Sequence, residues 1–375
     1  MANRSTILIT TPYFHPVVGG LENYAYALST GLAETGFKVI IATGDPKVKK
    51  VTVEKHDGLK IYRMPVWLVI SNTPINPLWY FMIRRIIKTE KPAIINAHTP
   101  VPFMADIAAL AAGDKPFVVT YHAATLFKKS SVLMRLITAL YLPVQNLTFK
   151  KARSIFAASD YVKTSLPSRI QPKTFVMPNA TYITAPRRQA GQGLVFVGNL
   201  DHSHAWKGLE LILESLALIK EQIGSAPHLT VIGDGTARVH YEEVATKLDL
   251  TDTVTFTGVL IGKARDHRMS KAAALISYPT TANDAFPTVF LEAWSLGLAV
   301  ISCRIGPIES AVDEDVNALL AEPNDPADLA ATLQKAFEHT SSLRTLGRNG
   351  KRLVSKTYNW PTQVARAANV LEQLT

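Results

Sequence analysis

Two carboxylates eight residues apart, Asp284 and Glu292, flank the start of an apolar helix, a placement that can grip hydroxyl groups. Phe286-Pro287 marks that start and Thr288 follows, so Asp284 falls in the loop at the helix mouth and Glu292 about one to two turns in. Glu292 sits within Val289-Phe290-Leu291-Glu292-Ala293-Trp294, where a carboxylate needs a partner. The paired hydroxyls of a ribose are one such partner and a neighbouring arginine is the other. Lys207-Gly208 sets a cation at the amino end of another predicted helix, where the macrodipole disfavours it. A bound anion relieves that conflict, and a lysine pointing into solvent avoids it. Gly19-Gly20, between a strand and a helix, offers free N–H groups to a phosphate or makes an ordinary tight turn. It is not the G-x-G-x-x-G dinucleotide fingerprint. His122 stands at the carboxyl end of a predicted strand, as a functional or a satisfied structural imidazole. Asp201, His202 and His204 are metal-ligand types, but three hydrophilic loop residues more often coordinate nothing.

These residues must be positioned by alternating elements. Thr6 to Thr10 reads as a strand, and Leu21, Ala25, Leu28 and Leu32 then follow helical spacing until Gly36. Further strands are expected at Lys38 to Thr43, Ala93 to Asn96, Phe117 to Tyr121 and Ser154 to Ala158. Thr174 to Tyr182 and Pro186 to Gly193 read as a linker, because nothing periodic crosses them. A second series follows, with strands at Leu194 to Val197, Leu229 to Ile232, Val254 to Thr257, Ala274 to Ser277 and Ala299 to Ser302. Helices are expected at Leu209 to Lys220, Val239 to Leu248 and Thr288 to Leu296. Alternating βα units imply two doubly wound parallel sheets, with ligands beyond the carboxyl ends of the strands. Two such domains facing each other would hold the active site in the cleft between them.

The chain has 375 residues, of which 47% are hydrophobic and 19% charged, which excludes disordered, collagen-like and solenoid classes. One cysteine, Cys303, excludes an internal disulfide framework. The amino-terminal apolar run is too short for a signal-peptide core, so a cytoplasmic protein is expected, and no apolar stretch approaches a membrane span. The net charge of +10 is uneven: residues 1–185 carry 22 Lys and Arg against 9 acids, and residues 186–375 carry 18 against 21. A basic half implies an anionic partner or a solvated basic face.

The stretch Asn283 to Val300 resembles the E-x7-E signature of the retaining glycosyltransferases of family 4. The other pieces fall in that family's order: Gly19-Gly20, His122, Met177-Pro178-Asn179, Val197-Gly198, Lys207-Gly208, Ile232-Gly233-Asp234-Gly235 and Phe256-Thr257-Gly258. Nearly the whole chain is covered. The resemblance implies the GT-B fold, an α/β architecture of two Rossmann-like domains across a cleft. These are an acceptor domain over 1–185, with the helix 358–375 crossing back onto it, and a nucleotide-sugar domain over 186–357. It implies a hexosyltransferase using a nucleoside-diphosphate sugar, with no cofactor and no metal. Glu292 would hold the ribose, Asp284 the donor sugar, Lys207 and the Gly19-Gly20 amides the pyrophosphate, and His122 would lie beside the sugar. Gly233, Gly235, Gly258, Phe286, Pro287 and Thr288 would shape the donor pocket. Two departures stand out: Asp284 replaces the family's first glutamate, and Asn199 stands where many members carry an arginine.

The acceptor expected from this resemblance is a glycan or a lipid-linked molecule. Leu126 to Lys151 mixes Lys128, Lys129, Arg135, Lys150 and Lys151 with apolar residues, which fits either an interfacial amphipathic segment or a core-facing helix with solvated lysines. A peripheral position on an anionic inner membrane face is therefore expected beside the cytoplasmic one. Competing classes are a GT-B sugar-nucleotide epimerase or phosphorylase and a non-enzymatic anionic-polymer binder. The acidic second half interrupts any continuous basic track, so nucleic acid is not expected as a partner.

Overall fold

A computed structural model of the chain describes residues 5–17, 19–70, 73–122, 132–182, 191–282 and 286–375, the side chains of 132–138 excepted. The chain divides into two compact units: Met1–Asn179 with Trp360–Thr375, and Ala180–Asn359.

In unit 1 the elements run β1 (Thr6–Thr11), α1 (Gly20–Glu34), β2 (Lys38–Asp45), β3 (Thr52–His56), β4 (Leu59–Pro65), β5 (Leu68–Ile70), β6 (Thr73–Ile75), α2 (Trp79–Glu90), β7 (Ile94–Thr99), α3 (Met104–Ala111), β8 (Phe117–Tyr121), α4 (Val132–Lys151), β9 (Ser154–Ala157), α5 (Asp160–Ser165) and β10 (Thr174–Val176). Eight strands form one sheet in the order β10-β9-β8-β7-β1-β2-β4-β3, parallel except for β3. Ile7, Leu8 and Ile9 are fully buried, as a strand covered on both faces requires. Helices α2, α3 and α4 pack side by side. Asp106 of α3 ties α4 to this layer, accepting from Tyr141 Oη at 2.9 Å and Thr148 Oγ1 at 2.5 Å.

Two sequence expectations change here. Thr174–Val176 is not linker but the edge strand β10, paired with β9. Three residues are too few to show periodicity, and the following Met177-Pro178-Asn179 turn masked it. Within Leu126 to Lys151, residues 126–131 lie outside the described residues and the remainder is α4, with Pro143 inside it. Gln145, Thr148 and Phe149 are buried, while Leu140, Val144 and Leu147 face solvent. Among the described residues no helix is long and apolar enough to cross a membrane.

In unit 2 the elements are β11 (Leu194–Val197), α6 (Leu209–Ile223), β12 (Leu229–Ile232), α7 (Arg238–Lys247), β13 (Val254–Phe256), α8 (Gly262–Met269), β14 (Ala274–Ile276), α9 (Thr288–Ser295), β15 (Ala299–Cys303), α10 (Gly306–Glu309), β16 (Ala318–Ala321), α11 (Pro326–Glu338) and α12 (Thr340–Lys356). Its sheet is wholly parallel, in the order β13-β12-β11-β14-β15-β16. The last helix, α13 (Trp360–Glu372), belongs to unit 1 and packs on α1. A side chain at Gly31 of α1 would lie 2.4 Å from Val364 Cγ2, so the two helices meet where only glycine leaves room.

Both sheets have a switch point, at which successive connections leave in opposite directions. In unit 1 it lies between β1 and β7, and in unit 2 between β11 and β14.

One buried charge has a pH consequence. Burial of Glu90 at the end of α2 works to raise its pKa, but hydrogen bonds from Lys60, Tyr62 (2.5 Å) and Lys38 (3.0 Å) prevail and hold it down to about 2. The folded value lies below the ordinary 4.5, so this stabilisation is complete above about pH 4.5 and is lost as the pH falls toward 2. Denaturant titrations across that window should show unit 1 losing up to about 3 kcal/mol that Glu90→Gln does not lose. Equal losses in both proteins would count against this assignment.

Candidate active site

In unit 1 the switch point carries an imidazole pair. His98 is the penultimate residue of the buried strand β7, and His122 follows β8 with its N–H bonded to Thr99 O at 3.0 Å. His98 Nδ1 lies 3.0 Å from His122 Nε2, and the rings stack at 5.1 Å. Tyr24 of α1 meets His122 edge-on at 4.7 Å and Trp360 at 5.3 Å, and its hydroxyl donates to Met177 O. Burial lowers both imidazoles, His122 to about 3 and His98 well below its ordinary value, so both are neutral at pH 7. His98 Nε2 has no polar partner among the described residues. A buried orphan N–H is rare, so Nε2 is assigned as the bare nitrogen and Nδ1–H of His98 donates to His122. The remaining proton of His122 then sits on Nδ1. Sequence reading found His122 but passed over His98; the available signal was two histidines at the carboxyl ends of adjacent parallel strands.

Gly19 is the N-cap of α1, and a side chain there would lie 2.2 Å from Glu22 Oε2. The chain's own carboxylate thus covers Gly19 at the helix end where a phosphate was expected, while Gly20 faces open space. Burial raises the Glu22 pKa, which favours its neutral form there. Beside Gly19 opens a cavity of about 690 Å³, lined by Tyr13, Glu22, Asp45, Lys47, Glu54 and Arg63 among others. Arg63 bonds Glu54 at 2.6 Å and His15 O at 2.8 Å, which fixes the cavity wall.

In unit 2 the switch point gathers loops from β11, β12 and β14. After β11, Gly198 N donates to Ile232 O, and Asn199 Oδ1 accepts from Asp201 N at 2.7 Å. Asn199 therefore caps its own turn, with its side chain directed into the loop. Asp201 Oδ1 in turn accepts from Thr236 N at 2.9 Å. A side chain on Gly233 would stand 1.8 Å from Gly198 O, and one on Gly208 would stand 1.8 Å from Tyr278 O. Both glycines have positive φ. Gly235 likewise abuts the Leu200–Asp201 backbone, whereas the carbonyl of Gly258 accepts from Gly233 N. Loop-to-loop packing alone requires Gly208, Gly233 and Gly235.

Lys207 ends a short 3-10 turn, His202–Lys207, ahead of α6. It thus caps the negative end of one helical turn as well as standing before the positive end of the next, which softens the conflict expected from sequence. Its stem passes over Gly198, and Nζ lies 5.3 Å from the Trp206 ring centre. Thr280 N bonds Trp206 O at 2.8 Å, tying this turn to the exit of β14. Asp284 lies outside the described residues. Phe286 is buried against Tyr358 and Pro287 is the N-cap of α9, so both are packing residues; Thr288 is exposed. Glu292 is half-buried, and Arg265 of α8 engages its Oε1 at 3.1 Å. Desolvation raises the Glu292 pKa against the pull of Arg265. The arginine partner weighed from sequence is present, and nothing local to residue 265 announced it. One Asp-x-Asp triplet exists, Asp313-Glu314-Asp315, in the turn before β16, where Glu314 pairs with Arg304.

The neutrality of the imidazole pair is directly measurable. An NMR titration of labelled histidines should find His98 and His122 uncharged through the pH range around 6.5 in which a free imidazole gains its proton. A midpoint near 6.5 for either ring would contradict the buried pair.

Comparison with known proteins accords with this geometry. Residues 18–182 match the family model Glycosyltransferase Family 4, and residues 188–353 match Glycosyl transferases group 1. A human phosphatidylinositol N-acetylglucosaminyltransferase subunit is 28% identical, covering 98% of this chain and 76% of its own length. A sucrose-phosphate synthase structure from Thermosynechococcus elongatus superposes with a TM-score of 0.78 at 20% identity, over 99% of both chains. Anabaena HepE, solved in complex with UDP-glucose, gives 0.72 at 17% identity, over 99% of this chain and 100% of its own. The chain belongs to the GT-B glycosyltransferases, its two units matching the two halves of the family 4 architecture.

Proposed function

We propose that this glycosyltransferase moves a hexosyl group from a nucleoside-diphosphate sugar to a hydroxyl of a glycan or lipid-linked acceptor, with retention and without a metal. The observation that carries this reading is the unit 2 switch point, where the Lys207 turn and the Glu292 helix leave adjacent strands. HepE holding UDP-glucose on the same fold supports a nucleotide-sugar donor.

In this reading the half-buried Glu292 accepts hydrogen bonds from the two ribose hydroxyls, and Arg265 keeps its carboxylate charged against the desolvation that raises its pKa. Lys207 faces the diphosphate, whose negative charge grows as the anomeric carbon–oxygen bond breaks. A fixed ammonium and the amino ends of α6 and α9 stabilise that charge most when it is greatest. Asp284 holds hydroxyls of the donor sugar. Unit 1 supplies the acceptor side. Its cavity beside Gly19 is lined by carboxylates, a guanidinium and a tyrosine ring, groups that bind hydroxyls and stack on sugar faces. Neutral His122, following β8 in unit 1, can offer its Nδ1–H to a sugar hydroxyl without bringing a charge with it.

The test is transfer from a panel of nucleotide sugars to cell lipid and glycan extracts, read by mass spectrometry. Lys207→Ala and Glu292→Ala should each lower kcat/KM on the order of 100-fold or more. Near-normal rates in both variants would overturn the site. Chelation with EDTA should leave the rate unchanged; loss of activity restored by magnesium would overturn the metal-free step.

A further inference from the structure

The hairpin of β5 and β6 turns its apolar residues outward. Trp67, Leu68, Val69 and Ile70 are consecutive and are 64%, 54%, 45% and 56% exposed. A two-stranded ribbon normally buries one face. Here every residue of β5 meets water, and a contiguous exposed apolar run of this kind marks an interaction surface. The base of the ribbon is firmly held: Trp67 N bonds Ile75 O, and the buried Asn76 and Trp79 side chains both donate to Pro65 O. The exposed run is therefore presented by a fixed support.

The next element supplies the charge. On α2, Trp79, Ile83, Ile86 and Glu90 are buried, whereas Phe81, Arg84, Arg85 and Lys88 are exposed. The spacing i, i+3, i+4, i+7 puts those four on one stripe opposite the buried face. Phe81, 66% exposed, begins the stripe six residues after the hairpin. The one acid of α2, Glu90, is turned inward onto Lys38 and Lys60. An exposed apolar ribbon is thus followed directly in the chain by a helix whose outer stripe carries three cations and no exposed acid.

We propose that the hairpin and the outer stripe of α2 dock unit 1 on an anionic lipid bilayer. Trp67, Leu68, Ile70 and Phe81 enter the headgroup–acyl boundary, and Arg84, Arg85 and Lys88 meet lipid phosphates. A second copy of the chain fits less well, because a two-fold contact centred on the α2 stripe would set like charges against each other. A nucleic acid would satisfy the cations and leave the hairpin in water. The inference does not rest on the transfer chemistry, which a water-soluble acceptor tests separately.

The full chain should co-sediment with vesicles of phosphatidylcholine containing about one-third phosphatidylglycerol, and much less with phosphatidylcholine alone, the difference shrinking as salt is raised. Trp79, Trp294 and Trp360 are buried and Trp206 is half-buried, so brominated lipid should quench Trp67 selectively, and Trp67→Phe should remove that quenching. Replacing Trp67, Leu68 and Ile70 with Ser should cut partitioning on the order of 100-fold, as should replacing Arg84, Arg85 and Lys88 with Gln. Both variants should keep wild-type circular dichroism, since all six side chains are exposed. Absent binding at low salt, binding unaffected by the hairpin variant, or quenching that survives Trp67→Phe would each overturn the proposal. So would ultracentrifugation showing a wild-type dimer that the serine variant dissolves.

Discussion

At the carboxyl ends of β11, β12 and β14 the polypeptide packs backbone against backbone, and this close approach is what the candidate site depends on. Gly233 admits the carbonyl of Gly198, and Gly208 admits that of Tyr278. A methyl group at either place would separate the loops, and with them the turn bearing Lys207 from the strand exit leading to α9. The glycines first serve to pull three loops together; any open N–H groups follow from that compaction. The cationic stem that crosses Gly198 is positioned by the same contact.

The two units are electrostatically unlike in a way that net charge does not convey. Unit 1 is the basic half, yet its switch point holds two uncharged imidazoles, a tyrosine and a tryptophan. Unit 2 is slightly acidic, yet its switch point carries an ammonium and a guanidinium. The charge at each switch point thus departs from the average that composition assigns to its half, and the guanidinium of unit 2 is paired with the Glu292 carboxylate.

Much of this was legible in the sequence. Phe117–Tyr121, Leu194–Val197 and Leu229–Ile232 were readable to the residue, because short apolar runs in parallel sheets are buried on both faces and bounded by turn residues. The strands β3, β5 and β6 were not. Thr52–His56 is exposed along its whole length, and β5 breaks the rule that apolar residues lie inside. The paired acids and glycine turns drew attention through their spacing. Arg265 and His98 did not, because their partners lie 27 and 24 residues away and meet them only through strand order. A partner set by topology leaves no local trace.

The packing of α13 on α1 makes unit 1 discontinuous in the chain, with unit 2 as one uninterrupted insertion. Synthesis from the amino terminus therefore delivers every strand of the first sheet, then a whole second domain, before Trp360 and Val364 reach Tyr24 and Gly31. Until α13 leaves the ribosome, one flank of α1 lacks its apolar cover. The domain begun first is the one completed last, and a frameshift or nonsense codon just ahead of Trp360 strikes the fold of the amino-terminal half.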